Sequence, residues 1–171
     1  MLFETNSQFD IREQSPLALA FVGDGVFELL VRQRAVETTR LPLNKLHAMA
    51  VGYVSAHHQA AGLCAIEPML TEQEAGVVRR GRNANKASVS KHATREEYCA
   101  STALESLFGW LYLQNRQERI LELYTIDGGV KGGVTAVIRP VGVDHADLGD
   151  GGVSLFGFEI ALAECDIVGI H

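Results

Sequence analysis

Two capping boxes constrain what this chain can fold into more than any other feature of its sequence. Thr71 stands three residues before Glu74, and Thr94 stands three residues before Glu97. In a capping box the threonine hydroxyl and the glutamate carboxylate satisfy each other's exposed backbone donors at the start of a helix. Helices are therefore predicted to begin at residues 72 and 95.

Apolar residues recur at helical spacing on both sides of these starts. Ser15 followed by Pro16 is another helix start, because the proline ring already holds a helical φ, and Pro42 is a break. Helices are predicted over residues 16–36, over 43–66 as one helix or two divided at Gly52, from 72 to about 81, from 95 to about 114, and roughly over 116–125. The pattern predicts an all-α fold.

The character of the chain changes near residue 126. Ten of its 17 glycines lie at positions 128–169, where the helical period disappears. Residues 127–171 also hold seven acids and two bases, so most of the overall charge of −6 lies there. We therefore expect an N-terminal segment over 1–14, one all-α domain over 15–126, and a glycine-rich, acidic and weakly structured tail over 127–171.

Composition fits one globular domain, since hydrophobic residues make up 47% of the 171 positions. No apolar run reaches the length of a membrane span, and the polar N-terminus resembles neither a signal peptide nor a transit peptide. A cytoplasmic location and no membrane partner are expected. The three cysteines lack metal-type spacing, so no zinc site is expected either.

Asp24 interrupts the apolar face of the first predicted helix. A carboxylate in an apolar setting costs several kcal/mol unless it is paired or binds a metal, so Asp24 is either a structural carboxylate or a metal ligand. Gly23 and Gly25 flank it, and each costs about 1 kcal/mol relative to alanine inside a helix. Close approach of another backbone is the expected compensation.

Glu105 is a second acid in a mainly apolar helix, and it favours the metal interpretation of Asp24. Its neighbours one turn away, Ser101, Thr102 and Gly109, are small and are expected to leave room for an ion and a substrate. Two carboxylates from two packed helices form an oxygen-only site that suits Mg²⁺ with several retained waters, with Mn²⁺ as a substitute.

Two further residues are candidates for contact with such an ion through water. Glu28 lies one turn from Asp24, although a solvated surface charge is the favoured interpretation of a single helix glutamate. Thr102 lies one turn before Glu105 and is the other candidate.

A basic stretch lies between the two capping-box helices. Residues 75–95 contain six bases and no acid, in a chain that is acidic overall. A solvated surface loop is the ordinary interpretation, but the absence of acids favours phosphate contact. Arg82 and Lys86 are the first choices in a candidate RNA-binding set that comprises Arg79, Arg80, Arg82, Asn83, Lys86, Lys91 and Arg95.

The histidines and aromatic residues give weaker signals. His57 and His58 are adjacent and cannot share a helix face, so they and His47 are interpreted as surface or RNA-contacting residues rather than metal ligands. Core packing or a dimer seam is predicted for the aromatic residues at helical spacing, which are Phe21, Phe27, Phe108, Trp110 and Tyr112.

From Leu17 to about Leu123 the sequence resembles the mini-ribonuclease III family, whose members lack a double-stranded-RNA-binding domain. The matching segments are Leu17-Ala-Leu-Ala-Phe-Val-Gly-Asp24, Val26-Phe-Glu28, Leu46-His47, Tyr53-Val-Ser-Ala56, Leu70-Thr-Glu72, Arg80-Gly-Arg-Asn-Ala84, Ser101-Thr-Ala-Leu-Glu105 and Gly109-Trp-Leu-Tyr112. Each segment is short, but their order and spacing are specific.

The resemblance implies a ribonuclease III catalytic domain that acts as a homodimer with one active centre per subunit. Asp24 and Glu105 match the family's metal-binding acids, and Ala20 and Thr102 stand where larger ribonuclease III enzymes carry two more. The implied reaction is cleavage of double-stranded RNA to 5′-phosphate and 3′-hydroxyl ends. The implied substrate is the precursor of 23S ribosomal RNA, with a ribosomal protein on that RNA as a further candidate partner.

This sequence departs from the family pattern at three places. Gly25 stands where alanine is usual, His57 stands where lysine is common, and the tail after residue 126 matches no part of the family. The alternative function is therefore a catalytically weak dimer that binds duplex RNA as a ribosome-assembly factor.

Overall fold

The computed structural model describes residues 9–84 and 94–124, and these ranges fold into a bundle of α-helices. The helices are α1 (Pro16–Thr38), α2 (Leu43–Tyr53), α3 (Ala56–Ile66), α4 (Glu72–Arg82), α5 (Arg95–Leu113) and α6 (Gln117–Tyr124), with short 3₁₀ turns at Ile11–Glu13 and Glu67–Met69. No strand occurs in these ranges, which confirms the predicted all-α fold. The predicted tail over 127–171 lies outside the described residues.

The helix starts are formed by the residues that the sequence signals name. Both capping boxes are complete: the threonine hydroxyl accepts from the glutamate N–H, and the glutamate carboxylate accepts from the threonine N–H, at the starts of α4 and α5. Ser15 accepts a hydrogen bond from the Ala18 N–H at 3.1 Å at the start of α1. None of the helices within the described ranges is long and apolar enough to cross a bilayer.

The boundary between α2 and α3 differs from the sequence pattern, whereas the boundary between α5 and α6 lies close to where it was predicted. The break between α2 and α3 follows Tyr53 rather than falling at Gly52, because Ser55 caps the start of α3. Asn115 lies two residues after the end of α5 and has φ at 60°. The Arg116 N–H donates a hydrogen bond to the Leu111 carbonyl at 2.9 Å. Asn tolerates this left-handed conformation better than most residues, so it forms the corner into α6.

Helix α5 is the centre of the bundle, and α1, α3, α4 and α6 all pack against it. Nearly every residue from Ser101 to Leu111 is buried. Phe27 of α1 meets Phe108 of α5 and Tyr124 of α6 edge to face, with ring centroids 5.6 and 6.0 Å apart. These aromatic contacts join three helices in one core, and they confirm core packing for Phe27 and Phe108.

A buried ion pair fastens α6 to α4. Glu74 is fully buried, and its two carboxylate oxygens accept from the Nε and Nη2 atoms of Arg119 at 3.0 and 2.9 Å. Arg119 also donates to the Met69 carbonyl at 2.7 Å, and Arg116 lies 3.6 Å from Glu74. The glutamate that completes the first capping box therefore also neutralises the largely buried guanidinium of Arg119.

The charge state of Glu74 follows from these contacts. Burial pushes its pKa upward, but the hydrogen bonds from Arg119 and Thr71 outweigh burial and lower the pKa below the ordinary value of 4.5. A carboxylate with a lowered folded-state pKa contributes stability above its unfolded pKa, and that contribution is lost as the pH falls through the lower folded value.

We expect Glu74→Gln to lower the free energy of unfolding by about 3 kcal/mol at pH 7, because Arg119 would keep its charge in a largely buried site. Urea unfolding at several pH values measures this loss. The difference from the wild type should shrink below about pH 4.5, where the native carboxylate also loses its advantage. Glu72→Gln, on an exposed position of the same helix, is the matched control and should change stability little.

Candidate active site

Helices α1 and α5 touch backbone to backbone at a pair of glycines. A Cβ atom on Gly23 would lie 1.8 Å from the Glu105 carbonyl oxygen and 2.7 Å from the Gly109 nitrogen. A Cβ on Gly109 would lie 2.0 Å from the Leu19 carbonyl oxygen. No side chain fits at either position, so the two glycines set the distance between the helices.

At this crossing the backbone of α1 beside Asp24 touches the backbone of α5 at Glu105, so the two acids of the predicted site start from neighbouring positions. Asp24 directly follows Gly23, and the Glu105 carbonyl is the group that Gly23 touches. Asp24 is exposed at this point, whereas Glu105 is partly buried. Acids that are 81 positions apart in the sequence therefore start from neighbouring backbone positions, with one of them open to solvent.

The glycine contact confirms one expectation from the sequence and corrects two others. Gly23 does accept close approach of another backbone, as predicted. Gly25 does not, because a Cβ there would meet no atom within 4 Å. Gly109 was expected to leave room for an ion, and this was wrong: the space beside it is filled by the backbone of α1.

The electrostatic setting of Asp24 disfavours its charge. Desolvation beside the helix crossing raises its pKa above the ordinary 3.8, and the nearby Glu28 carboxylate raises it further. A cation at this position would oppose both effects, since it would supply a charge of the opposite sign.

The two candidates for water-mediated contact have other partners. Glu28 forms a half-exposed ion pair with Arg32 one turn further along α1. The Thr102 side chain is buried, and its hydroxyl donates to the Tyr98 carbonyl at 3.0 Å. Within residues 9–84 and 94–124, no group of three or more acidic, histidine or cysteine side chains could hold a metal ion.

Helix α4 ends about one residue later than predicted, so Arg82, which was expected in the loop after it, lies on the helix. Helix α4 continues to Arg82, so Arg79, Arg80 and Arg82 occupy its last turn, where positive charge interacts favourably with the helix dipole. All three are exposed. We call this last turn, residues 79–82, the basic turn.

Arg82, a first choice for phosphate contact, is held by an acid that the local sequence could not reveal. Glu67 precedes α4, yet its carboxylate accepts from Arg82 Nη2 at 2.5 Å, and both side chains are about two-fifths exposed. Arg82 therefore has a competing partner for RNA. Asn83 and Arg95 are exposed, whereas Lys86 and Lys91 lie outside the described residues.

His57 and His58 have different environments. His57 Nδ1 lies 2.7 Å from Glu97 Oε1, so it joins α3 to the first turn of α5 and lowers the pKa of that glutamate. His58 is half-buried, lies 2.8 Å from the Ser55 hydroxyl, and has a pKa lowered first by burial and then by His57. Neither histidine belongs to a group that could hold a metal within the described ranges.

Ser106 is a residue that sequence reasoning missed. Its hydroxyl is fully buried and lies 2.9 Å from the Pro16 carbonyl and 2.7 Å from the Thr102 carbonyl. It thereby connects the first turn of α1 to α5, directly beside Glu105. Its position in an apolar run next to an acid is the only local signal, and that signal does not identify its partner in α1.

Comparison with known proteins agrees with the fold described above. Residues 17–116 match the family model described as the ribonuclease III domain. The Mini-ribonuclease 3 of Symbiobacterium thermophilum is 48% identical over 108 residues, which cover 63% of this chain and 83% of that protein. The chain belongs to the mini-ribonuclease III family.

Other members of the family show the same extent of similarity. The Mini-ribonuclease 3 of Brevibacillus brevis is 43% identical over 64% of this chain and 81% of its own. The Mini-ribonuclease 3 of Enterococcus faecalis is 40% identical over 67% of this chain and 88% of its own. A crystal structure of a Fusobacterium nucleatum protein matches with a TM-score of 0.63 and 31% identity, over 67% of this chain and 93% of that one.

Membership of the mini-ribonuclease III family establishes the class of reaction. The protein is an endoribonuclease, and double-stranded RNA is its substrate class. The exposed arginines of the basic turn on α4 have the charge that attracts the phosphodiester backbone of such a substrate.

We expect Gly23→Ala to separate α1 from α5, because the added methyl would collide with the Glu105 carbonyl. Overpacking of this kind against fixed backbone should lower the free energy of unfolding by about 3 kcal/mol and abolish RNA cleavage. Urea unfolding and a duplex-RNA cleavage assay measure the two effects.

Gly25→Ala is the matched control two residues along the same helix. It adds the same methyl where no atom of the chain's described part lies within 4 Å, so it should raise the free energy of unfolding by up to about 1 kcal/mol instead of lowering it. Equal behaviour of the two variants would show that the glycine contact does not set the helix spacing.

Proposed function

We propose that Asp24 and Glu105 together hold a magnesium ion during cleavage of double-stranded RNA. The observation that carries this proposal is the contact of Gly23 with the Glu105 carbonyl, since it anchors both acids at one helix crossing. Mg²⁺ in nuclease-type sites is commonly bound by one or two carboxylates, with waters and substrate phosphate completing its shell. Two acids without a third therefore fit this ion, and Mn²⁺ would substitute for it.

The protein's own residues have distinct tasks in this reaction. Bound magnesium would acidify a water and stabilise the developing charge on the phosphate. Asp24, exposed and disfavoured as a lone anion, supplies the open side of the site, while partly buried Glu105 supplies the side facing the bundle. Glu28 and Thr102 remain candidates for contact through water. The products would carry 5′-phosphate and 3′-hydroxyl ends.

RNA would be held by exposed cations at the end of α4 and at the start of α5. Arg79 and Arg80 have exposed side chains on the basic turn, and Arg95 is exposed at the start of α5. Arg82 would exchange its half-exposed pair with Glu67 for a phosphate, because such surface pairs contribute at most about 1 kcal/mol. Asn83, Lys86 and Lys91 complete the proposed set.

We further propose that the natural substrate is the precursor of 23S ribosomal RNA, processed in the cytoplasm. The support for this is similarity to the family over residues 17–116. A ribosomal protein bound to the same RNA is the proposed accessory partner. These assignments concern which duplex is cut, so they are independent of the chemistry at the helix crossing.

The proposed active unit is a homodimer formed through α1. Leu17, Phe21, Leu29 and Val36 share one side of this helix, and Phe21 is 84% exposed. Asp24 borders that side, because it lies seven residues after Leu17. A second copy packed there would cover the apolar stripe and place two active centres on one duplex.

Asp24→Asn should abolish cleavage of a long duplex RNA in magnesium, because the amide keeps the shape of the side chain but not its charge. Fold and dimer should persist, as measured by circular dichroism and light scattering. Glu37→Gln, an exposed acid on the same helix, is the control and should cleave as the wild type does. Full cleavage by the Asp24 variant would remove the proposed mechanism, whereas wild-type binding without cleavage would select the assembly-factor alternative.

Phe21→Ser should convert the dimer to a monomer at micromolar concentration and reduce cleavage with it, since it removes the most exposed aromatic side chain of the α1 stripe. Sedimentation velocity measures the oligomeric state. Leu121→Ser removes an exposed apolar side chain from α6 and should remain dimeric. A dimeric Phe21 variant would place the interface on another surface.

A further inference from the structure

Helix α4 is docked on α5 through a glycine inside the basic turn. A Cβ on Gly81 would lie 2.7 Å from the Ala103 Cα, 2.9 Å from the Ser106 Oγ and 3.2 Å from the Ser106 Cβ. Gly81 is buried, while Arg80 and Arg82 on either side of it are exposed. The one position of the basic turn without a side chain is thus its contact with the central helix.

The surface that Gly81 meets cannot easily move. The Ala103 Cα is backbone of a helix that is buried on most sides. The Ser106 Oγ is held between the carbonyls of Thr102 and Pro16 at 2.7 and 2.9 Å. A methyl group on Gly81 would therefore displace α4 rather than α5, because densely packed interiors transmit such strain to the element that can yield.

The same turns of α5 carry the proposed metal ligand. Ala103 and Ser106, which Gly81 contacts, flank Glu105 within one helical turn. Ser106 also reaches the first turn of α1, the helix that carries Asp24. The positions of the basic turn and of the two acids are therefore set by the same segment of α5, residues 103–106.

We infer that Gly81 is a positioning residue, which sets where the basic turn holds an RNA phosphate relative to the acids on α1 and α5. This inference rests on the proposed RNA contact by the basic turn. Arg80 and Arg82 extend from the residues next to Gly81, so a displacement of the α4 backbone moves both guanidinium groups together. Gly81 itself touches neither RNA nor metal.

Gly81→Ala tests this inference without changing any charge. The readout is the slope of log binding constant against log salt concentration for a duplex RNA, measured in EDTA so that no cleavage occurs. Each phosphate contact contributes about one to this slope, so Gly81→Ala, which displaces both Arg80 and Arg82, should lower it by about two. With magnesium present, KM for the duplex should rise severalfold while kcat at saturating RNA changes less.

Two variants calibrate the measurement. Arg80→Gln removes one charge directly and should lower the slope by about one. Gly76→Ala adds the same methyl to the same helix, where the nearest atom is the flexible end of Arg80 at 3.7 Å. It should keep the wild-type slope and KM, because that distance is an ordinary van der Waals contact.

The outcomes separate this inference from the proposed function. A folded Gly81→Ala protein with wild-type slope and KM, beside an Arg80→Gln protein with a reduced slope, would overturn the positioning role alone. An unchanged slope in Arg80→Gln as well would overturn RNA contact by Arg80 and the inference with it.

If Gly81→Ala does not fold, Ser106→Ala takes its place. It removes the oxygen that a Cβ on Gly81 would meet at 2.9 Å, and with it the buried hydroxyl that links α5 to Pro16. A reduced slope and a raised KM in this variant would support the positioning role, and wild-type values of both would overturn it.

Discussion

The approach of α1 to α5 is the constraint on which the rest of this molecule depends. With a Cβ position on Gly23 only 1.8 Å from the Glu105 carbonyl, the helices meet as bare backbone. This contact has a local cost in helix propensity, because glycine is a poor helix former. In return it allows the acids beside it to begin from adjacent turns, and it lets Phe27 reach the aromatic core behind α5.

Around this crossing, contacts with α5 position the helices α1, α3, α4 and α6. Gly81 allows the end of α4 to pack closely against α5, and the Ser106 hydroxyl joins the start of α1 to the same turns of α5. The buried pair of Glu74 and Arg119 fastens α6 to α4 on another side. Packing between small residues, rather than long side chains, thus determines where the charged groups of the site stand.

Most of the helices could be predicted because their signals are local. The capping boxes at Thr71 and Thr94 form as expected, since each needs only residues within one turn. The predictions that were wrong concern residues whose partners lie far away in the sequence. Gly109 was assigned to open space that α1 fills, and Arg82 was assigned to a loop although it ends a helix and pairs with Glu67.

The sequence by itself determined the all-α class, most of the helix starts and membership of the mini-ribonuclease III family, and it predicted Asp24 and Glu105 as the metal site. Only the tertiary structure decided which glycine lies at the crossing, that Ser106 reaches Pro16, and that Arg119 neutralises Glu74. The physical reason is the distance along the chain over which each feature is specified. A helix start is fixed by neighbours along the chain, whereas a contact between helices depends on the rotation and height of two rigid elements, which no single segment specifies.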